Sequence, residues 1–160
     1  MRVLGLIAVL AVAACSSGAA TSGPGSPAPA GSAPAGSPGA GMAVGVTLQE
    51  WAVLPAQESV ASGDVTFQVS NTGPEDVHEF VVLKTDVDPS ALPTDATGAV
   101  DEAGAGIEVV DEIEDIPVGE SQEITVPMQA GTYVLLCNIY DETEQEAHYA
   151  MGMRTSFTVE

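Results

Sequence analysis

Soft and borderline metal ligands gather in one short segment near the carboxyl end of this 160-residue sequence. The segment 137–153, CNIYDETEQEAHYAMGM, holds one of the two cysteines, one of the two histidines and two of the five methionines. The other histidine, His78, lies far upstream. The order along the chain is therefore histidine, cysteine, histidine and methionine, and imidazole, thiolate and thioether donors are all available to one ion.

Two imidazoles and one thiolate around a metal, with a weak axial thioether, form the donor set of a blue-copper electron-transfer centre. Thiolate and thioether suit Cu(I), and imidazole suits both oxidation states, so the combination lowers the reorganisation that accompanies electron transfer. The residues predict one copper ion held by His78, Cys137 and His148. Met151 and Met153 compete for the axial position.

Each of these residues also has an ordinary structural explanation. His78 could be a strand-end histidine bonded to a backbone carbonyl, and Cys137 could be a small buried core residue. The acids among the ligands could be a solvated loop tip, a docking patch for a basic partner, or a relay that delivers copper. The loop contains Asp141, Glu142, Glu144 and Glu146.

The elements that would position these ligands are short strands. Between residues 42 and 160, apolar residues alternate with polar ones in segments separated by turn signals, as in DVTFQVS, where Val65, Phe67 and Val69 share one face. In TYVLLCNI both phases are apolar, which indicates a strand covered on both sides and a half-buried Cys137. Residues 86–106 have little periodicity and predict a long loop. We expect an all-β fold, an antiparallel Greek-key β-sandwich of seven to eight strands.

The chain before residue 42 has a different character. Residues 1–14 combine Arg2 with a short apolar run, which predicts a signal peptide, and VAAC resembles the lipobox of bacterial lipoproteins. We expect lipid on Cys15, followed over residues 15–41 by a flexible tether of Ser, Gly, Ala, Thr and Pro. The domain would then be secreted and anchored to the outer face of the cytoplasmic membrane.

The net charge limits the partners. Beyond the signal segment only Lys84 and Arg154 are cationic, against 23 acidic residues. Such a charge argues against nucleic acid and favours cations or a basic protein such as a cytochrome or an oxidase. A lipidated Cys15 would also leave Cys137 without a partner in its own chain, although secreted proteins usually pair their cysteines. A buried thiol, an intermolecular disulfide, a nucleophile and a metal ligand all remain open for Cys137 on this ground.

The sequence from about residue 46 to 160 resembles the cupredoxin family. The resemblance lies in NTGPEDVHEFVVL, in GIEVVDEIEDIPVGESQEITV, and in GTYVLLCNI followed by HYAMGMRTSFTV. It implies His78, Cys137, His148 and Met153 as the copper ligands, with Met151 as the alternative axial group, because the family places glycine directly before its methionine. The chain departs from the family's small members in the ten residues between Cys137 and His148. The loop-closure cost of such an insertion is small.

Three functions follow as hypotheses. The first is a membrane-tethered, extracytoplasmic one-electron carrier with one copper ion, expected to be a monomer and to meet a redox protein. The alternative is a copper chaperone or scavenger, for which the long acidic loop and the second methionine argue. A third is an interaction domain with disused ligands. An enzyme is not expected, because both histidines are committed to the metal and the sequence has no phosphate loop or nucleophile elbow.

Overall fold

The computed structural model describes residues 41–160, which form a nearly all-β domain. The predicted signal segment, the lipidated Cys15 and the tether up to residue 40 lie outside the described residues. No helix in the described range has the length and apolar character needed to cross a membrane. In chain order the elements are β1 (Met42–Gln49), β2 (Ala52–Pro55), β3 (Ser59–Val60), β4 (Gly63–Asn71), β5 (His78–Lys84), β6 (Glu108–Ile116), β7 (Ser121–Met128), β8 (Gly131–Leu136), β9 (Tyr140–Asp141), β10 (Glu146–Ala147), α1 (His148–Met151) and β11 (Arg154–Val159).

Two sheets make up the sandwich. The first has the order β2-β1-β4-β7, and the second has the order β3-β11-β8-β5-β6, while β9 and β10 pair as a separate hairpin. The predicted all-β sandwich is confirmed. Most strand pairs are antiparallel, as predicted, but the sheets are mixed, because β1 pairs with β4 in parallel and β11 pairs with β3 in parallel. The four shortest strands, β2, β3, β9 and β10, account for the excess over the predicted strand number.

Alternating side chains build the core between the sheets. In β4, Val65, Phe67 and Val69 are fully buried, as their spacing predicts. The ring of Phe67 lies 5.3 Å from that of Phe80 in β5 and 5.7 Å from that of Phe157 in β11. These three rings therefore join the two sheets across the core.

The second sheet is also covered on its outer face. A second apolar cluster joins β5 and β8 to the loop after β5 and to Tyr149 of α1. The predicted loop 86–106 contains only turns, bends and an isolated bridge, and its residues Leu92 and Val100 are buried in this cluster. Because β8 packs on both faces, its apolar residues occupy both phases of the strand, and Cys137 is fully buried rather than half buried.

Candidate metal centre

Four side chains named from the sequence converge at one end of the sandwich. His78 is the first residue of β5, and Cys137 directly follows β8, its neighbour in the sheet. His148 is the first residue of α1, and Met153 lies between α1 and β11. All four are buried, with exposures of 0–2%.

The donor atoms of three of these residues lie within reach of a single small ion. Nδ1 of His78 is 3.3 Å from Nδ1 of His148, which is in turn 3.3 Å from Sγ of Cys137. All three atoms lie within 4.8 Å of one another. Two nitrogens bound at about 2.0 Å to a shared ion at a tetrahedral angle would lie about 3.3 Å apart. The residues therefore fit a mononuclear site of two imidazoles and one thiolate.

Backbone hydrogen bonds fix the segment that carries the last three ligands. The N–H of Cys137 donates to the carbonyl of Met153 at 3.0 Å, and the N–H of Met153 donates to that of His148 at 3.1 Å. His148 N–H donates to the carbonyl of Ile139 at 2.9 Å. Cys137, His148 and Met153 are thus tied together through the main chain, independently of any bound metal.

The two methionines occupy different environments. Met153 is fully buried and belongs to the same core cluster as Cys137, whereas Met151 is 43% exposed. The burial of Met153 suits an axial thioether shielded from water. It agrees with the preference for Met153 that the family resemblance implies, although the bond from either sulfur to copper stays a prediction.

Protonation in the copper-free domain follows from burial. Burial raises the pKa of the Cys137 thiol to about 12, so the sulfur is protonated at neutral pH and metal loading must release a proton. Burial also lowers the pKa of His78, with a further contribution from the neighbouring His148, and burial lowers the pKa of His148. Both imidazoles are therefore neutral at neutral pH, which is the form that binds a metal.

The sulfur of Cys137 accepts a hydrogen bond from the backbone N–H of Glu79 at 3.3 Å. Such a bond stabilises a thiolate and tunes a metal bound to it.

The side chain of Asn138 binds the backbone of the loop that follows β5. Its Oδ1 accepts from the N–H of Val100 at 2.6 Å, and its Nδ2 donates to the carbonyl of Val100 at 3.1 Å. Asn138 thus ties the ligand segment to the loop that covers the outer face of the second sheet.

The acidic insertion between Cys137 and His148 is an ordered hairpin. Strands β9 and β10 pair across it, and the Asp141 carboxylate accepts from the N–H groups of Thr143 at 2.6 Å and Glu144 at 3.0 Å. Glu142 and Glu144 are exposed. The extra residues therefore form a solvated tip above the site, and the ligands beneath it remain buried.

Two residues close to the site carried no sequence signal. The ring of Trp51 and the imidazole of His148 pack in a T-shaped arrangement, with centroids 5.1 Å apart. Glu50 lies behind His78, with a carboxylate oxygen 3.6 Å from Nε2. Both belong to the turn between β1 and β2, far from the ligands in sequence, so no local spacing could have identified them.

A second cluster of carboxylates lies beside the site. The carboxylate oxygens of Glu79, Glu102 and Glu112 lie within 4.8 Å of one another. Burial, followed by repulsion from Glu102 and Glu112, raises the pKa of Glu79 to about 7. Glu79 therefore binds a proton more tightly in the folded domain than in the unfolded chain.

This difference makes the stability of the copper-free domain depend on pH. The folded-state pKa of Glu79 is raised, so its contribution to stability is fully present below pH 4.5 and is lost as the pH rises to about 7. Allowing for partial solvent screening, the loss is about 1–3 kcal/mol. We expect Glu79→Gln to remove this part of the pH dependence and to stabilise the domain above pH 7.

Urea unfolding in the presence of a chelator, at pH 5 and pH 8, measures the effect. Glu108→Gln is the matched control, because Glu108 is an exposed acid on the neighbouring strand β6 and lies outside the carboxylate cluster. Equal pH dependence in wild type and Glu79→Gln would contradict the prediction.

Comparison with known proteins finds solved structures with a similar fold. No protein-family model matches the chain, and no curated protein matches it. Among solved structures, dithionite-reduced auracyanin from Roseiflexus castenholzii is similar at 25% identity and a TM-score of 0.54, covering 76% of this chain and 99% of its own. Rusticyanin from Thiobacillus ferrooxidans is similar at 20% identity and a TM-score of 0.51, covering 77% and 79%. A further rusticyanin structure, described as that of a copper protein, has the same identity and TM-score.

The sandwich and its likeness to these proteins define the class of fold: the described domain has a cupredoxin fold. Its buried group of His78, Cys137 and His148, with Met153 nearby, further matches a type 1 copper site. The predicted fold and the predicted cofactor, one copper ion, agree with this result.

Proposed function

We propose that this protein carries single electrons through one copper ion held by His78, Cys137 and His148, with Met153 as the axial group. The convergence of two Nδ1 atoms and one Sγ in a buried site supports the proposal most strongly. When bound, copper would supply one-electron redox chemistry, and the protein would provide the donors, their fixed geometry and the exclusion of water.

The protein's own contribution is a site that is already assembled. Main-chain hydrogen bonds hold Cys137, His148 and Met153 at fixed separations, and β5 places His78 against them. Because the donors are buried and tied to the sandwich, they have little freedom to rearrange when the charge at the site changes. The N–H of Glu79 stabilises negative charge on the sulfur, and the surrounding acids favour the more positive copper state.

Copper loading followed by optical and EPR spectroscopy and electrochemistry tests the proposal. We expect one copper per protein, an intense blue or green absorption, and reversible one-electron cycling without loss of copper. A Cu(II)-loaded protein that is colourless would contradict it.

The location and the partner form part of the same proposal. Lipid on Cys15 and a tether over residues 15–41 would hold the domain at the outer face of the cytoplasmic membrane. A basic redox protein, such as a cytochrome or an oxidase, would meet the acidic hairpin tip. Two exposed apolar side chains are close to the ligands in sequence, Val77 directly before His78 and Met151 two residues before Met153, and would be available to such a partner.

Copper delivery is the second candidate function, and the exposed thioether of Met151 beside a buried site is the observation that favours it. An exposed sulfur can receive or release Cu(I) without opening the core. Transfer of copper to a partner protein on mixing would support delivery. Retention of copper through repeated redox cycles would count against it.

The two methionines should differ sharply when each is replaced by leucine. Met153→Leu removes a weak fourth donor. Cu(I) is stable with three donors and Cu(II) gains more from a fourth, so we expect the reduction potential to rise, by about 60 mV for each tenfold change in relative affinity. Met151→Leu should leave the potential and spectrum near those of wild type. Cyclic voltammetry of both variants measures this, and a larger shift for Met151→Leu would assign the axial position to Met151.

A further inference from the structure

A largely buried carboxylate lies beside Nε2 of His78, the ring nitrogen that does not face His148. Nδ1 of His78 lies against Nδ1 of His148, whereas Nε2 lies 3.6 Å from Oε1 of Glu50. The His78 side chain is fully buried and that of Glu50 is 13% exposed. The separation is longer than a hydrogen bond, but neither Nε2 of His78 nor Oε2 of Glu50 has a hydrogen-bond partner among the described residues.

The carboxylate of Glu50 is held in place by the turn that leads into β5. Its Oε1 accepts from the N–H of Asp76 at 2.9 Å and from the N–H of Glu75 at 3.3 Å. A Cβ at Gly73 would lie 2.5 Å from the same oxygen, so the absence of a side chain there makes room for the carboxylate. Burial raises the pKa of Glu50, but the backbone donors outweigh it and hold the pKa below its ordinary value.

We propose that Glu50 is a positioning residue that keeps the proton of His78 on Nε2 and so leaves the Nδ1 lone pair free for copper. This role depends on the copper site proposed above. A neutral imidazole carries its proton on one nitrogen only. With the proton on Nδ1, the lone pair of Nε2 would face a buried carboxylate, and two acceptors without a donor between them are unfavourable in a buried site.

The same contact would orient the ring. Metal-binding histidines commonly donate their second ring N–H to a carboxylate, which fixes the tautomer and raises the basicity of the ligating nitrogen. Glu50 comes from the β1–β2 turn of the first sheet, while His78 begins a strand of the second sheet. The contact therefore links the ligand to the opposite layer of the sandwich as well as to its own turn.

Glu50 could instead serve only to close the turn at residues 73–76, and the tautomer of His78 distinguishes the two roles. The test uses ¹⁵N NMR of the imidazoles in the copper-free protein, purified without a histidine tag so that His78 and His148 are the only histidines. The variants are Glu50→Ala and Glu50→Gln. Because Glu50→Gln keeps an oxygen for the N–H groups of the turn, it preserves the fold if the alanine variant does not.

Glu75→Gln is the matched control. Glu75 is an exposed acid in the same turn, and its side chain makes no hydrogen bond to His78, so the control removes an equal charge and leaves the Glu50 carboxylate in place. In wild type and the control we expect the Nε2–H tautomer of His78 to dominate. In Glu50→Ala the Nδ1–H form should gain several-fold, with Glu50→Gln between the two.

Copper affinity, measured by competition with a chelator, supplies a second readout. Loss of the orienting carboxylate should weaken binding by about 10–100-fold, as for other partners of metal-binding histidines. The control should remain near wild type. An equal loss in Glu75→Gln would show a general effect of charge and would overturn the positioning role.

The outcomes separate this inference from the proposed function. An unchanged tautomer ratio in the folded Glu50 variants would overturn the role of Glu50, even if wild type shows the full blue-copper spectrum. A shift in the tautomer ratio would support that role even if the loaded protein failed to cycle electrons.

Discussion

Cys137→Ala is expected to abolish the intense visible absorption of the copper-loaded protein. The band requires charge transfer from a thiolate, and Cys137 supplies the only sulfur that lies 3.3 Å from a histidine nitrogen among the described residues. Copper that still bound to His78 and His148 would give only weak colour. Optical and EPR spectra of the variant at matched copper content measure the loss.

The same substitution should remove most of the stability that copper confers. A ligand present at a thousand times its dissociation constant stabilises the folded state by about 4 kcal/mol. For a domain of this size that corresponds to a rise of roughly 10–20 °C in melting temperature. We expect wild type to show this rise on copper addition and Cys137→Ala to show little of it. In the copper-free state the variant should lose only about 1 kcal/mol, since a small buried side chain is shortened by one atom.

Met151→Leu is the control for both measurements, because it removes a sulfur that is 43% exposed and leaves the buried donors intact. It should keep the band and the copper-dependent rise in melting temperature. A Cys137→Ala variant that retained either property at wild-type size would contradict the assignment of Cys137 as a ligand.

The fold was predictable wherever local pattern and tertiary environment agree. Apolar and polar residues alternate along strand β4, because one face of the strand packs on the core and the other faces solvent. Successive side chains of a strand point to opposite faces, so this difference is visible in the sequence. Strand β8 has no alternation because both faces are covered, and this too was visible in its composition. The parallel pairing of β1 with β4 was not predictable, because pairing direction depends on the connection through β2 and β3 and not on either strand's own pattern.

The ligands of the site were predictable because histidine and cysteine are rare in this chain. With only two histidines in the chain, bringing His78 to Cys137 and His148 needed no more than the correct fold. Glu50 is one of 23 acidic residues, and nothing in its neighbourhood in sequence marks it. Its contact with His78 exists because the β1–β2 turn of one sheet reaches the start of β5 in the other, which is a tertiary relation.

The long insertion shows why spacing alone is a weak guide to a metal site. Ten residues separate Cys137 from His148, yet the hairpin of β9 and β10 brings the ends of the insertion back together. The N–H of His148 then reaches the carbonyl of Ile139, two residues after the cysteine. The hairpin pairing and this hydrogen bond hold Cys137 and His148 close together in space despite their distance in sequence. The extra residues therefore add negative charge above the site without separating the ligands.

Phe67→Ala is expected to cause a large loss of stability in this domain. Phe67 is fully buried and its ring meets Phe80 at 5.3 Å and Phe157 at 5.7 Å, so it contacts both strands that flank the ligands. Removing a buried phenylalanine ring typically costs about 3–5 kcal/mol, through lost burial and the cavity left behind. Against a total stability of about 5–15 kcal/mol, such a loss leaves the copper-free domain marginal.

Urea unfolding of the copper-free variant measures the loss, with an unchanged slope showing that the unfolding transition remains comparable. Leu54→Ala is the control, because Leu54 is an apolar strand residue that is 48% exposed, and it should change the free energy of unfolding by no more than about 0.5 kcal/mol. Copper should raise the stability of the Phe67 variant by about as much as that of wild type, because the ring is not a ligand. A Phe67→Ala variant as stable as Leu54→Ala would show that the three rings do not hold the sheets together, and that the ligand strands are fixed by other contacts.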